Sequence, residues 1–218
     1  MSFTLIDIEK WPRADHYRYY TEQIRTSYQV TVQLDVTKMW KWCHMQKIRF
    51  YPAMIYAIMK VINRHQEFRM ALDEDGRPGY YDACHPSYTI FHEDDETFSD
   101  IWTEWNEDFN VFYRSACEDM EKFKDVKGVK AKPGRPDAFV PISCIPWLDF
   151  TDFSHDTSGQ GPMYFPLIVF GKVKASGDKF TIPFSVMINH AAADGFHTSR
   201  MIREVQETSD QCSLWKHP

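Results

Sequence analysis

The sequence predicts an α+β fold, a two-layer sandwich with helices on one face of a mixed, mostly antiparallel sheet. Three observations predict it. Residues 28–36 alternate strictly, with Tyr28, Val30, Val32, Leu34 and Val36 on one face and Gln29, Thr31, Gln33 and Asp35 on the other, as a half-buried strand does. Residues 51–62 are apolar nearly all round, carry Pro52 in the first turn and suit a buried helix. Residues 179–189 alternate again and pair with 164–173 through a turn at 175–178. No repeat or linker interrupts the chain, so residues 1–218 are expected to form one domain.

The other elements follow in order. Residues 15–25 suit a helix with Asp15 as its N-cap, and Thr37 caps a helix through Met39, Trp40 and Cys43. Short strands are expected at 69–72, 79–81 and 87–92, the first two split by the turn-rich run 73–79. A helix spans 105–123, and 124–136, rich in Lys, Gly and Pro, is a loop. Strand character resumes at 138–144. The strongest loop signal is 154–162, and a helix over 196–209 closes the chain.

The chain has 218 residues and a formal net charge of −6, without the basic stripe that a nucleic-acid partner requires. Its N-terminus lacks the pattern of a secretion signal. Apolar stretches such as 163–171 are too short to span a bilayer, so no membrane partner is expected. The 5 cysteines are scattered with no C-x-x-C, which suits free thiols and a cytoplasmic location. Aromatics are abundant, with 16 Phe, 11 Tyr and 7 Trp.

The chemistry concentrates in 187–197, MINHAAADGFH. A strand ends at Asn189-His190, three alanines leave room for a chain or ligand, and Gly195 is expected at positive φ in a sharp turn into a helix. His190 is the general-base candidate, since an imidazole titrates near working pH. A lone histidine would more often be a satisfied turn residue; the whole H-x-x-x-D-G string favours function. A metal site would use His190, Asp194 and His197, but no further ligand pair supports it, so no metal is expected. The glycerolipid acyltransferase box needs four residues between His and Asp; this chain has three.

The string resembles the signature of the coenzyme A-dependent acyltransferases, and the chain is similar almost end to end to the chloramphenicol acetyltransferase family. The matching stretches are WPRADHY at 11–17, VQLDVT at 32–37, RFYPAMI at 49–55, EFRMA at 67–71, YTIFHE at 88–93, ETFS at 96–99, SCIPW at 143–147 and HAAADGFH at 190–197. The resemblance implies acetyl-CoA as co-substrate, and a homotrimer with active sites between subunits. It implies His190 as the base that deprotonates an acceptor hydroxyl, with direct attack on the thioester and no acyl-enzyme. Ser143 becomes the oxyanion donor, a role worth roughly 3 kcal/mol in enzymes generally. Asp194 pairs with Arg13 to pin the turn. Arg49, Tyr51, Trp147 and Lys172 become candidates for holding coenzyme A. Tyr19, Tyr20, Phe98, His155 and Val169 become the acceptor pocket.

Departures from the family pattern cluster on the acceptor side. Asn189 and Ala193 replace a usual histidine and cysteine, Val169 a threonine, and Ala131 an aromatic. His155 stands at an apolar position and Asp100 at a small one. Polar groups in an apolar pocket weaken an apolar ligand unless they are paired. Two other readings therefore accompany chloramphenicol acetylation: the same chemistry on another small hydroxylated acceptor, and a non-catalytic oligomeric binding protein that kept the fold.

Overall fold

The computed structural model describes residues 2–156 and 163–215, so residues 157–162, most of the loop expected at 154–162, lie outside the described residues. The chain enters through β1 (Phe3–Leu5) and α1 (Ala14–Arg18), then β2 (Ser27–Asp35), α2 (Thr37–Gln46) and α3 (Phe50–Ile62). Strands β3 (Met70–Leu72), β4 (Pro78–Tyr81), β5 (His85–His92) and β6 (Thr97–Trp102) follow, then α4 (Phe109–Phe123). The last part holds β7 (Phe139–Ile145), β8 (Leu167–Gly171), β9 (Lys174–Ser176), β10 (Lys179–Asn189) and α5 (Gly195–Asp210).

The main sheet runs β2-β10-β8-β7-β5-β6, with β9 also on β10. Its pairs are antiparallel except β5 with β7 and β7 with β8, so the mixed, mostly antiparallel sheet is borne out. Alternation gives each strand two faces. One face carries Val186, Ile168, Ile142, Tyr88 and Ile101 in one lateral row, none more than 1% exposed. Against it pack the long helices, with α3 at the centre touching α2, α4 and α5. Ten of the thirteen residues of α3 are buried, as its all-round apolar sequence requires. Each large apolar side chain sealed here contributes about 1.5–3 kcal/mol.

The alternate face is polar. Thr31, Ser185, Val169 and Ser143 lie in register across β2, β10, β8 and β7, and Thr89 pairs with Asp100 across β5 and β6. Thr89 stands one residue beyond the Tyr88–Ile142 pair and so continues the row from Ser143. The segment 148–156 crosses this face: Phe150 O accepts from Gln33, Asp152 from Thr31, and the His155 N–H donates to Gln29.

Several local expectations are corrected. The helix expected at 15–25 begins at Ala14 with Arg13, not Asp15, at its N-cap, and Tyr19–Gln23 widens to a π-helical turn closed by Ile24 N–H to Tyr19 O at 3.0 Å. Thr37 does not cap α2. Asp35 accepts from the Thr37 N–H, and the Thr37 hydroxyl accepts from the Phe180 N–H at 2.8 Å, tying α2 to β10. Helix α4 starts at Phe109 because the Asp108 carboxylate accepts from Asn110 and Val111 N–H groups. The strand expected at 164–173 breaks after Gly171, where the Lys172 N–H turns aside to Leu148 O. Strands β1 and β6 were not anticipated, nor that β1, β4 and β3 form a separate sheet.

Candidate active site

His190 sits just past the end of β10, where its N–H donates to Thr26 O at 3.0 Å and so continues the pairing with β2. The chain then reverses through Asn189. Its carbonyl accepts from the Ala192 and Ala193 N–H groups, and its side-chain oxygen from Ala191 N–H at 2.9 Å. This overturns the glycine expectation: Gly195 is the first residue of α5 and has no positive φ. The alanines leave no room for a ligand. All three are fully buried, Ala191 and Ala192 beneath Trp11, Tyr17, Tyr20 and Tyr164, and Ala193 in the main core.

The expected Arg13–Asp194 pair is present. Arg13 Nη1 donates to Asp194 Oδ2 at 2.5 Å, and Nη2 donates to the His190 carbonyl at 3.3 Å. One guanidinium therefore holds both ends of the turn. The other Asp194 oxygen caps α5 and meets His197 Nδ1 at 2.8 Å. Burial would raise the Asp194 carboxyl, but hydrogen bonds from His197 and Arg13, and their charge, hold it down at about 2. His197 as a partner was missed. The spacing Asp-x-x-His mirrors a capping box, with histidine in place of Glu or Gln, and would have revealed it.

The His190 ring lies flat on Tyr20, with centroids 3.9 Å apart and planes at 9°. Tyr28 flanks it at 5.0 Å, anchored by its hydroxyl on Thr198 at 2.6 Å, and Tyr19 meets Tyr20 edge to face at 5.1 Å. The π-helical turn at Tyr19–Gln23 carries Tyr20 to this place. Tyr28 and Thr198 were not foreseen as neighbours of the imidazole; the outward order of residues on β2 and α5 gave no sign of it. His190 Nδ1 is buried and has no hydrogen-bond partner among the described residues.

The other expected residues lie elsewhere. Ser143 is level with Val169 and Ser185, hence five residues along β10 and two strands across from His190. At about 3.3 Å per residue and 4.8 Å per strand, their Cα atoms stand roughly 19 Å apart. Side-chain reach closes less than half of that gap. The acceptor set is divided likewise. Tyr19 and Tyr20 stand with His190, whereas His155 and Val169 lie on the polar face with Ser143. His155 reaches the Val169 neighbourhood through Gln29, whose Nε2 donates to Ser185 Oγ at 2.6 Å, and burial lowers its imidazole pKa. Phe98 pairs with Phe91 on the far edge of the sheet.

The coenzyme A candidates fall in two places, Trp147 and Lys172 just past β7 and β8, and Arg49 and Tyr51 at the start of α3. Trp147 packs edge-on against Phe91 at 4.6 Å, and Lys172 donates its N–H to Leu148 O. Tyr51 packs on Phe170 and Tyr88 and donates to Thr89 O at 3.0 Å; burial pushes its phenol well above the ordinary range. Arg49 precedes α3 beside it, and both Arg49 and Lys172 are exposed. Trp147 and Lys172 follow the C-terminal ends of β7 and β8, beyond Ser143, whereas Tyr51 packs on the helix side of the sheet and the Arg49 N–H donates to the Tyr113 hydroxyl on α4. Among the described residues no three His, Cys, Asp or Glu side chains gather as a metal site, and no helix is long and apolar enough to cross a membrane.

Comparison with known proteins completes the picture. A family model described as chloramphenicol acetyltransferase matches residues 1–206. A chloramphenicol acetyltransferase of Clostridium perfringens is 38% identical over 215 residues, spanning 99% of this chain and 98% of its own. One of Vibrio anguillarum is 38% identical over 207 residues, 95% of this chain and 94% of its own. A solved chloramphenicol acetyltransferase shares the fold with a TM-score of 0.83 at 21% identity, covering 95% of this chain and 99% of its own. A probable dihydrolipoamide acetyltransferase of Listeria monocytogenes shares it at 0.65 and 10% identity, covering 91% and 89%. With the pinned histidine turn in place and the match extending over nearly its whole length, the chain belongs to the chloramphenicol acetyltransferase family.

Proposed function

We propose that this protein transfers acetyl from acetyl-CoA to a hydroxyl of chloramphenicol, acting as one domain over its 218 residues and as a cytoplasmic homotrimer. The observation that carries the reading is the pinned His190 turn in a chain of this family. Burial of Nδ1 leaves Nε2 as the nitrogen that meets an incoming hydroxyl. Nε2 takes the hydroxyl proton as the oxygen attacks the thioester carbonyl carbon. The carbonyl electron pair moves onto its oxygen, where the Ser143 hydroxyl donates a hydrogen bond. Collapse of this tetrahedral intermediate expels the coenzyme A sulfur, which recovers the proton from the imidazolium. An acetyl ester and a free thiol result, with no acyl-enzyme. The Tyr20 stack fixes the ring plane, and Arg13 with Asp194 fixes the backbone beneath it.

Subunit pairing supplies what a single chain lacks. With roughly 19 Å between His190 and Ser143 in one chain, the base and the oxyanion donor of one site come from neighbouring subunits. Arg49 and Lys172 provide local positive charge for coenzyme A phosphates against the net charge of −6. Trp147 lines the route to Ser143, and Tyr51 supports the neighbouring strand from the helix side through its hydrogen bond to Thr89 O.

Purified protein with acetyl-CoA is assayed for free thiol with and without chloramphenicol. Chloramphenicol-dependent thiol release, with acetyl recovered on the drug, is the expected result. Release with another alcohol but not with chloramphenicol would overturn the substrate and keep the chemistry. No release with any alcohol would overturn the transferase reading.

A further inference from the structure

We infer that Asp100 and Arg135 form a polar specificity subsite that selects ring-bearing alcohols with a hydrogen-bond-accepting group at the end remote from the reacting hydroxyl. The inference rests on the acetyltransferase reading and names the substrate class of that site. A cavity of about 320 Å³ opens on the polar face of the sheet, lined by Asp100, Trp102, Lys130, Lys132, Arg135 and Phe139 among others. That size suits one end of a small ligand.

Its position follows from strand register. Asp100 lies level with Thr89, and Thr89 with Ser143, so the Asp100 Cα is two strands, roughly 10 Å, from Ser143. Of the coenzyme A candidates, Trp147 and Lys172 lie beyond Ser143, past the C-terminal ends of β7 and β8. The cavity includes Phe139, at the N-terminal end of β7, so it lies on the opposite side of Ser143. An acceptor whose hydroxyl reaches the thioester from that side extends its other end over Asp100.

The chemistry follows from the pairing. Ser87 Oγ lies 3.0 and 2.8 Å from the two Asp100 oxygens, and Arg135 Nη1 donates to Asp100 Oδ2 at 2.8 Å and to Ser87 Oγ at 3.1 Å. Burial raises the Asp100 carboxyl, while Ser87 and Arg135 oppose that rise. The guanidinium lies 3.8 Å from the Phe139 ring centroid, which fixes its plane. Lys132 lies 4.4 Å from the Trp102 ring centroid and pairs with Asp119 at 2.7 Å. The loop that carries Arg135 is held on β6, where the Asp100 N–H donates to Val129 O and the Ala131 N–H to Asp100 O. A guanidinium has five N–H donors, and Nη1 supplies only two of them. The remaining donors, over aromatic walls, suit a planar acceptor group such as nitro. A partner lacking that group leaves them unmatched.

The test is calorimetric binding of chloramphenicol and of its analogue with hydrogen in place of the nitro group. Wild-type protein is expected to bind chloramphenicol about tenfold more tightly. The double variant Asp100→Ala/Arg135→Met is expected to bind the two compounds equally. Equal binding by wild type, a preference that persists in the double variant, or no binding of either compound overturns the inference. The wild-type comparison stands even if the double variant does not fold. Thiol release on the same samples separates the two readings: selective binding without release defeats the transferase reading and leaves the subsite standing.

Discussion

The two faces of the main sheet are built from the same strands and do different work. Phe184 and Ser185 are consecutive on β10, and both are 1% exposed or less. Phe184 faces the helices and packs in the apolar core. Ser185 faces the polar side and accepts hydrogen bonds from Gln29 at 2.6 Å and Thr31 at 3.0 Å. The difference teaches that alternation divides each strand into a stability position and a chemistry position one residue apart. Ser143 belongs to the second kind, between Ile142 in the core and Cys144.

The comparison breaks if the two kinds of position respond alike. Phe184→Ala is expected to cost about 3–5 kcal/mol of stability in denaturant unfolding, since it opens a cavity in a sealed core. Ser185→Ala is expected to cost about 1 kcal/mol; equal losses would erase the distinction. Ser143→Ala is expected to slow turnover about a hundred- to a thousandfold with little change in melting temperature. A melting shift at unchanged turnover would place Ser143 with the structural residues.

The His190 turn sharpens the comparison, because there pinning and chemistry coincide. The Asp194 carboxyl is held at about 2 when folded, against an ordinary value of 3.8. Its contribution to stability, about 2 kcal/mol, is therefore complete above pH 4 or so and is lost as pH falls toward about 2. Asp194→Asn should lower stability by about that amount at neutral pH and flatten acid unfolding in this window. A variant with wild-type stability and rate would refute the pinning role. The smallest effect is expected at Gly195, where an added Cβ meets nothing within 4 Å and φ is not positive. Gly195→Ala should be neutral or stabilising by about 0.4–1 kcal/mol.

Much of the fold was legible because its long elements obey one period. Residues 28–36 and 179–189 alternate cleanly, and the all-apolar 51–62 could only be buried. Strand β6 escaped because its pattern is reversed. Phe98 and Trp102 point to the polar side with Asp100, while Ser99 faces inward with Ile101, bonded to His92 and Val126 O. Strand β1 is three residues long, and its pairing depends on Gly79, where a Cβ would collide with the Phe3 ring. At the site, the Arg13–Asp194 pair was legible only through family resemblance, since 181 residues separate the partners. The Asp100–Arg135 pair was not legible, because it depends on a loop folding back onto β6.

The central claim is that His190 of one chain works with Ser143 of another. Chains carrying His190→Ala and chains carrying Ser143→Ala, each inactive alone, can be unfolded together and reassembled in equal amounts. An active site then needs His190 from one parent and Ser143 from the other, which random pairing supplies at about one interface in four. The account predicts recovery to about a quarter of the wild-type thiol-release rate. Mixed assemblies no more active than the two parents would contradict it and place both residues in one chain's site.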